Sequence, residues 1–411
     1  MSRFKPVAIG MCCGLLLGAC ESSTQVPLGN NPRALSVGDV NGDGHADLVV
    51  ASLGEPPDPV APSEPEQILV RLGRGDGTFG DVQRSAGPVS PQDTFFADLN
   101  GDQYPDLVAT SSFGGAEGYT NDGDGTFMGS SAMVPGDARS PGGAAGDFNG
   151  DGRTDLAILV RDEGNTYMNV SFGNADGSMT FVKSYSLMPI SVLPSAVAAG
   201  DLNGDGKLDL VITGSHGGQA GVIPHLNDGT GTFLPRPPVA AGVAAIALID
   251  VDGDSRLDAF TGGESVVLLR GTGDGSFAAG QTVFTPQGET ITDLAVADVN
   301  GDSRVDVVAT APSGLHVLTS SGSTYAHRLL ATGANPKDVA LVDVNGDGQK
   351  DAVNLNGTSP GSVTIHYNSA LREVGAAVDV RANANQRTLR LGAVDSARRT
   401  KIGELRLLGS R

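Results

Sequence analysis

The chain contains the nine-residue stretch Asp39-Val40-Asn41-Gly42-Asp43-Gly44-His45-Ala46-Asp47, and six further copies follow it. Successive copies begin 59, 49, 54, 49, 48 and 45 residues apart, a period that is typical of propellers, solenoids and other repeat arrays. We number the nine positions of each copy 1 to 9 and call the copies acidic loops 1 to 7. They begin at Asp39, Asp98, Asp147, Asp201, Asp250, Asp298 and Asp343. The fold therefore depends on the structure of one repeated unit.

Apolar residues precede and follow each acidic loop, as in Ala34-Leu35-Ser36-Val37 and Leu48-Val49-Val50-Ala51 around loop 1. Such runs predict a strand on each side of the loop, so that each loop joins the two strands of a β-hairpin. A third strand is predicted at Gln67 to Leu72. It leads into a second repeated phrase, Gly75-Asp76-Gly77-Thr78-Phe79.

The second phrase recurs at 123–127, 176–181, 228–233 and 273–277, and in a weaker form at 321–325. Its Asp-Gly pair is a tight-turn signal, because glycine supplies the positive φ that such turns need. We expect the aromatic residue that ends each phrase to pack between units. After it, roughly ten to twenty residues leave room for a fourth strand.

Four antiparallel strands in each of seven units predict an all-β fold, a seven-bladed β-propeller with loops suited to binding Ca²⁺ on its hairpins. The acidic loops join first to second strands, and the Asp-Gly turns join third to fourth strands. Because neighbouring strands alternate in direction, loops and turns should lie on one face. For the last blade we predict that Ala376 to Val380 forms the fourth strand, which places the propeller at residues 33–380, with 371–380 as its closing segment.

The N-terminus has the pattern of a targeting segment at residues 1–19, with Arg3 and Lys5 before an apolar stretch. It ends in Leu17-Gly18-Ala19-Cys20, which resembles the bacterial lipobox. That resemblance implies that Cys20 becomes the lipidated first residue, and that the chain is anchored in a membrane. An ordinary secretory signal is the alternative. Residues 20–32 are predicted to be a tether, and 381–411 a basic C-terminal extension.

Composition limits the partners that the chain is expected to bind. The formal net charge is −20, and it becomes −22 once the segment that carries Arg3 and Lys5 is removed. Such a charge argues against nucleic acid as a partner. All three cysteines, Cys12, Cys13 and Cys20, lie in or next to the targeting segment, so the exported domain has no disulfide to stabilise it.

The acidic loops have the chemistry of a Ca²⁺ site. Carboxylates or amides occupy positions 1, 3, 5 and 9, and glycine occupies position 4 of every copy. Several carboxylates in nine residues repel one another unless a cation lies between them, and hard oxygen ligands suit Ca²⁺. An EF-hand would need flanking helices and an acidic residue at position 12, where this chain has residues such as Val50, Ala109 and Asn354.

These loops, their hairpin flanks and the Gly-Asp-Gly-aromatic phrase together resemble the FG-GAP repeats of integrin α-subunit propellers and their bacterial relatives. The resemblance covers about residues 33–370 and implies up to seven structural Ca²⁺ sites. The side-chain ligands that it implies are Asp39, Asn41, Asp43, Asp47, Asp98, Asn100, Asp102, Asp106, Asp147, Asn149, Asp151, Asp155, Asp201, Asn203, Asp205, Asp209, Asp250, Asp252, Asp254, Asp258, Asp298, Asn300, Asp302, Asp306, Asp343, Asn345, Asp347 and Asp351. Backbone carbonyls at position 7 would complete the sites, from His45, Tyr104, Arg153, Lys207, Arg256, Arg304 and Gln349.

Some copies depart from this pattern. Gln103, Ser255 and Ser303 replace the glycine at position 6, and Pro105 occupies position 8 of loop 2. The sites of loops 2, 5 and 6 are therefore the least certain to bind Ca²⁺.

Function is predicted to be binding rather than catalysis. The leading hypothesis is a Ca²⁺-stabilised, lipid-anchored surface propeller that serves as an adhesion or interaction module for a protein or glycan. A carbohydrate-binding lectin is one alternative, and an enzyme acting on polysaccharide or lipid is another. The six histidines are scattered along the sequence and predict no metal pair, and no catalytic residue is assigned. Glu21 after Cys20 is not the aspartate that favours inner-membrane retention in enterobacterial lipoproteins, so the resemblance implies the outer membrane or cell surface. The ligand is sought on the face opposite the acidic loops, around the proline-rich stretch Leu53 to Glu66.

Overall fold

The computed structural model describes residues 23–54, 65–113, 115–134, 140–162, 165–187, 194–216, 219–372, 388–389 and 405–406. Seven antiparallel sheets follow one another along these residues, and each contains one acidic loop between its first two strands. The chain is all-β and folds as a seven-bladed β-propeller of four-stranded blades, which confirms the predicted fold class.

We number the blades after their acidic loops. Blade 1 consists of Pro32–Gly38, Asp47–Ser52, Gln67–Arg71 and Gln83–Ala86. Blade 2 consists of Pro91–Ala97, Asp106–Ser111, Ala116–Asn121 and Phe127–Val134. Blade 3 consists of Gly143–Gly146, Asp155–Asp162, Asn165–Gly173 and Met179–Ser186. Blades 4 and 5 consist of Val197–Gly200, Asp209–His216, Gln219–Asn227 and Phe233–Pro235, with Val239–Ala240 as an added strand; and Ala245–Ile249, Asp258–Gly262, Val266–Leu269 and Gln281–Phe284. Blade 6 consists of Asp293–Ala297, Asp306–Ala311, Gly314–Ser320 and Tyr325–Leu330, and blade 7 begins with Pro336–Val342, Asp351–Asn356 and Ser362–His366.

The first strands of the blades form the inner ring of the propeller. Each first strand contacts the first strand of the next blade, and Pro336–Val342 of blade 7 contacts Pro32–Gly38 of blade 1. The ring is therefore closed. Because each first strand ends at an acidic loop, all seven loops lie on one face, which we call the acidic face. The hairpins between second and third strands lie on the opposite face, as do the connections between blades.

Blade 7 is completed differently from the prediction. Its fourth strand is Ser23–Pro27, which pairs antiparallel with Ser362–His366, with Ser23 opposite His366 and Pro27 opposite Ser362. The prediction that Ala376 to Val380 closes the ring is therefore wrong, and residues 376–380 lie outside the described part of the chain. Part of the predicted tether is a blade strand. After His366 the chain leaves the sheet in a short helix, Asn368–Arg372, which frees the sheet edge for the N-terminal strand.

Apolar clusters fill the space between neighbouring blades. One cluster joins blades 3 and 4 through residues such as Leu159, Met168 and Ile212, which are fully buried. The phrase-ending aromatics Phe127 and Phe233 are buried between blades, as predicted.

In blade 3 the corresponding aromatic residue does not pack between blades. Phe181 is 45% exposed, and Met179 packs in the apolar cluster instead. Met179 directly follows the turn at Asp176 to Ser178, whereas Phe181 lies two residues further on. Distance from the turn therefore decides which side chain enters the core.

The remaining segments are only partly described. Thr388–Leu389 pairs with Leu405–Arg406 in a short antiparallel ladder within the predicted basic extension. Residues 1–22, which include the predicted targeting segment and Cys20, lie outside the described residues, as does 55–64 of the proline-rich stretch. In the described part of the chain, no helix has the length and apolar character needed to cross a membrane.

Candidate functional site

The backbone of each acidic loop folds around the carboxylate at position 1. In loop 4, Asp201 Oδ1 accepts hydrogen bonds from the Gly204 and Asp205 N–H groups at 2.8 and 3.2 Å. Its Oδ2 accepts one from the Gly206 N–H at 2.8 Å. The bonds from positions 4 and 6 recur in all seven loops. The position-1 carboxylate thus bends the chain into a compact turn rich in oxygen atoms.

The carboxylate at position 9 has a second structural role, which the sequence did not reveal. Asp209 is fully buried; its Oδ2 accepts the Leu202 N–H of its own loop at 3.0 Å, and its Oδ1 accepts the Asn227 N–H at the end of the third strand at 2.8 Å. The same pair of bonds is made by the other six position-9 residues, Asp47, Asp106, Asp155, Asp258, Asp306 and Asp351. Each one therefore fastens its acidic loop to the third strand of its blade.

Burial disfavours the charge of these position-9 carboxylates. It raises the pKa of Asp306 and of Asp351 to about 6. The two backbone hydrogen bonds that each carboxylate accepts lower the pKa, and the acids at positions 1 and 5 raise it further. Burial also raises the pKa of Asp47, Asp106, Asp155 and Asp209. A cation beside such a group would stabilise its ionised form.

Neighbouring loops on the acidic face are joined to each other. The Asn121 side chain of blade 2 donates from Nδ2 to the Val40 carbonyl of loop 1 at 2.7 Å. Asn227 and Asn368 donate in the same way, to Phe148 and Val299 of the preceding blades at 2.8 and 2.7 Å. The order of loops 1, 3 and 6 is therefore coupled to the packing of the following blade.

The loops that depart from the glycine pattern keep the same backbone. Gln103, Ser255 and Ser303 have φ values of 73°, 67° and 62°, in the left-handed region that the glycines of the other loops adopt at position 6. Non-glycine residues pay a steric cost in this region. The hydrogen bonds to position 1 hold them there, so these substitutions do not alter the loop fold.

The donor set fits a hard divalent cation. Every predicted ligand offers oxygen, and positions 1, 3 and 5 are partly or fully exposed at the protein surface. In five loops the position-3 asparagine donates from Nδ2 to the position-5 carboxylate, which leaves its own Oδ1 to accept the position-5 N–H. Within the described ranges, Asp250, Asp252 and Asp254 of loop 5 form a group with carboxylate oxygens within 4.8 Å of one another.

The opposite face holds a polar cluster that sequence reasoning missed. His316 Nδ1 and His327 Nε2 lie 3.0 Å apart, and His316 Nε2 lies 3.3 Å from Glu289 Oε1 and 3.1 Å from Ser313 Oγ. Phe284 of blade 5 stacks on His327 with ring centroids 4.3 Å apart. Two of the six histidines, His316 and His327, therefore lie together in the folded chain. They are eleven residues apart, on adjacent strands of blade 6, and only the strand register brings them together.

The geometry of this cluster favours a hydrogen-bond chain. The two imidazole centroids lie 5.1 Å apart at an interplanar angle of 20°, so the facing nitrogens point almost directly at each other. That arrangement suits a shared proton better than a chelated metal, whose ligand lone pairs must converge on a third point. Burial lowers the pKa of both histidines and so favours their neutral forms, while Glu289 acts in the opposite direction at His316.

Comparisons with known proteins agree with this architecture. FG-GAP-like repeats match residues 98–158, 147–212, 250–309 and 298–353, and an FG-GAP repeat matches residues 31–63. No curated protein matches the chain.

Two solved structures share the fold. A lectin of Agrocybe aegerita, described as recognising non-reducing terminal N-acetylglucosamine, is 20% identical with a TM-score of 0.51, over 76% of this chain and 81% of the lectin. BBS1N, solved in complex with ARL6DN, is 11% identical with a TM-score of 0.51, over 83% of this chain and 95% of its own. The repeat matches extend over more than half of the sequence, and the chain belongs to the FG-GAP repeat family.

Proposed function

We propose that the protein is a Ca²⁺-stabilised, lipid-anchored binding module at the bacterial cell surface. The observation that carries this proposal is the recurrence, in all seven blades, of one oxygen-rich loop fastened to its own third strand by a buried carboxylate. FG-GAP repeats bind calcium in general, and the donor set of these loops suits Ca²⁺. Ca²⁺ bound only to the folded state adds directly to stability.

In this proposal the metal stabilises structure and does not signal. The exported chain has a net charge of −22, and each Ca²⁺ bound would reduce that negative charge by two. Bound Ca²⁺ would also relieve the repulsion among the acids of its loop. The ions would stabilise the folded domain as disulfides do in other exported domains, since the mature chain keeps no cysteine beyond Cys20.

The N-terminal strand supports a definite orientation on the membrane. Ser23 pairs with His366, at the end of the third strand that leads to the acidic face. Cys20 lies only three residues before Ser23, which allows a reach of about 10 Å. A lipid on Cys20 would therefore hold the acidic face toward the membrane. We propose that the opposite face is presented to partners.

The opposite face offers surfaces for such a partner. A recess of about 410 Å³ lies between blades 4 and 5, bordered by Gly242, Glu264 and Thr282. The next gap, between blades 5 and 6, holds the cluster of Glu289, Ser313 and the two histidines. Loops carried on a rigid scaffold are the usual place for recognition.

A pull-down experiment tests the binding role. The lipid-free protein, made as a Cys20→Ser variant and immobilised, would be exposed to cell-surface extract in Ca²⁺ and in EGTA. We expect specific capture in Ca²⁺ that is lost in EGTA as the propeller loosens. Capture no greater than that of an unrelated propeller, in both buffers, would contradict the proposal.

A lectin is the second candidate function. The likeness to the Agrocybe aegerita lectin shows a shared fold only. The polar side chains of Glu264, Ser265 and Thr282 at the recess between blades 4 and 5 could hydrogen-bond sugar hydroxyls. The chain has no tryptophan and only six tyrosines to stack on sugar rings. Binding on a glycan array would favour the lectin, and an array with no signal above background would leave a protein partner as the better candidate.

We propose no catalytic role. Ser313 and His316 meet across 3.1 Å, as in a nucleophilic site, but the serine hydroxyl donates to Glu289 Oε1 at 2.5 Å. The hydroxyl proton is thus directed at a carboxylate and not at the imidazole that would serve as its base.

A further inference from the structure

Blade 5 differs from the other six blades at two positions on the acidic face. Position 3 of its acidic loop is Asp252, where every other loop has asparagine. The second difference is Arg270, which directly precedes Gly271, the residue whose N–H donates to the position-9 carboxylate of Asp258. The corresponding residues of the other blades are uncharged, namely Leu72, Thr120, Phe172, Leu226, Thr319 and Tyr367.

Four of these uncharged residues, Leu72, Phe172, Leu226 and Tyr367, pack against the turn of the next blade. A Cβ added to Gly275 would lie 2.4 Å from Leu226, and one added to Gly231 would lie 2.5 Å from Phe172. Blade 6 has the weakest copy of the turn phrase, and a Cβ added to its Gly322 would meet nothing within 4 Å. A bulky apolar residue at position 270 would therefore lack the packing partner that its counterparts have.

Arg270 instead turns to the acidic loop of its own blade. Its Nη1 lies 2.9 Å from Asp252 Oδ2 and 2.8 Å from Asp258 Oδ2. Asp258 is the buried position-9 residue, with 3% of its side chain exposed. In loops 3, 4 and 6 the basic residue at position 7 pairs only with the exposed acid at position 5. Arg270 thus places a positive charge between two of the predicted ligands of loop 5.

We propose that Arg270 is an internal cation that takes the place of Ca²⁺ in loop 5. This inference rests on the proposed Ca²⁺ binding of the family loops. The guanidinium neutralises the additional acid at Asp252 and satisfies Asp258, so loop 5 keeps its fold without metal. An incoming Ca²⁺ would have to displace the guanidinium from both carboxylates or bind beside a like charge. The protein therefore binds at most six Ca²⁺, one fewer than its seven acidic loops.

Calcium titration by calorimetry tests this inference on the Cys20→Ser protein. Arg270→Met removes the charge and keeps most of the side-chain volume. We expect it to bind one more Ca²⁺ per chain than the parent protein. Arg236→Met is the matched control, because Arg236 is an exposed cation beside blade 5 whose guanidinium donates to the Asp274 carbonyl at 3.1 Å, outside the acidic loop; its Ca²⁺ stoichiometry should not change. Equal stoichiometry and affinity in the parent and in Arg270→Met would overturn the inference.

A reciprocal variant keeps the inference testable if Arg270→Met does not fold. Asn203→Asp combined with Leu226→Arg transfers the pair into loop 4, and we expect this variant to bind one Ca²⁺ fewer than the parent. An unchanged stoichiometry would contradict the internal-cation role. If none of these proteins bound Ca²⁺, the proposed Ca²⁺ stabilisation would itself be wrong, and the inference would fall with it.

Discussion

The two faces of the propeller are built on opposite principles. On the acidic face the same residues recur in each blade, and their carboxylates are occupied by backbone N–H groups of the loop and the third strand. On the opposite face the hairpins differ from blade to blade, and the Glu289–His316–His327 chain occurs in one gap only among the described residues. The most repeated residues therefore maintain the structure, and we expect recognition to depend on residues that do not repeat.

The two faces exist only in a closed ring, so we expect the largest loss of stability where the ring closes. Val26 of the N-terminal strand is 8% exposed and packs with Val363 and Ile365 of blade 7. Val26→Asp would bury an unpaired charge, and we expect a loss of about 4 kcal/mol in the free energy of unfolding. Urea denaturation measures this loss. Thr24→Asp in the same strand is the control, because Thr24 is exposed; similar losses in both variants would show that the strand does not close the blade.

The next largest effect should come from a position-9 residue of the acidic face. Asp209→Ala leaves the Leu202 and Asn227 N–H groups without their acceptor, which should cost about 3 kcal/mol. Measured in EGTA, this loss is independent of metal binding. The control is Asp205→Ala in the same loop, since Asp205 is exposed and bonds only within its loop. Equal losses in the two variants would contradict the structural role of position 9.

A pH effect is expected in the inner strand of blade 2, away from both sets of loops. Burial raises the pKa of Asp93 to about 7. The hydrogen bond from the Thr94 N–H lowers this pKa, and the negative charge of Asp293 raises it further. The protonated form is therefore favoured in the folded state. Its contribution to stability is fully present below about pH 4, the pKa of an unfolded aspartate, and is lost as the pH rises through 7.

Asp93→Asn should therefore raise the stability at pH 8 by on the order of 2 kcal/mol and change it little at pH 4. Thermal melts at the two pH values measure the difference. Asp81→Asn, at an exposed position, serves as the control. A gain at pH 4 as large as the gain at pH 8 would rule out ionisation as the cause.

The smallest effect on stability is expected in the polar cluster of the opposite face. Glu289 makes an ion pair with His316 only when that histidine is protonated, and it also accepts two hydrogen bonds from Ser313. Glu289→Gln should lower the free energy of unfolding by less than about 1 kcal/mol, and Ca²⁺ binding should not change. Glu264→Gln on the neighbouring exposed hairpin is the matched control. A loss of stability as large as that of Asp209→Ala would show that residues of the opposite face also maintain the structure.

The fold was predictable because its signals are local. Asp201 and Gly204 lie within one turn, and the apolar runs beside them are strands in every unit, so hairpins, blade number and the common face followed from sequence. The closing strand was missed because Ser23–Pro27 has no local signal of its own and is set by a free edge more than 330 residues away. The contact between Arg270 and Asp252 was missed for a similar reason, since it depends on strand register and on what the neighbouring turn lacks.

Stabilisation of the acidic face by calcium is tested by a thermal melt of the Cys20→Ser protein in Ca²⁺ and in excess EGTA, each at the same ionic strength. Calcium binding to the folded loops predicts a markedly lower melting temperature in EGTA, restored when Ca²⁺ is added back. Melting curves that coincide in the two buffers would contradict the claim that calcium stabilises the acidic face.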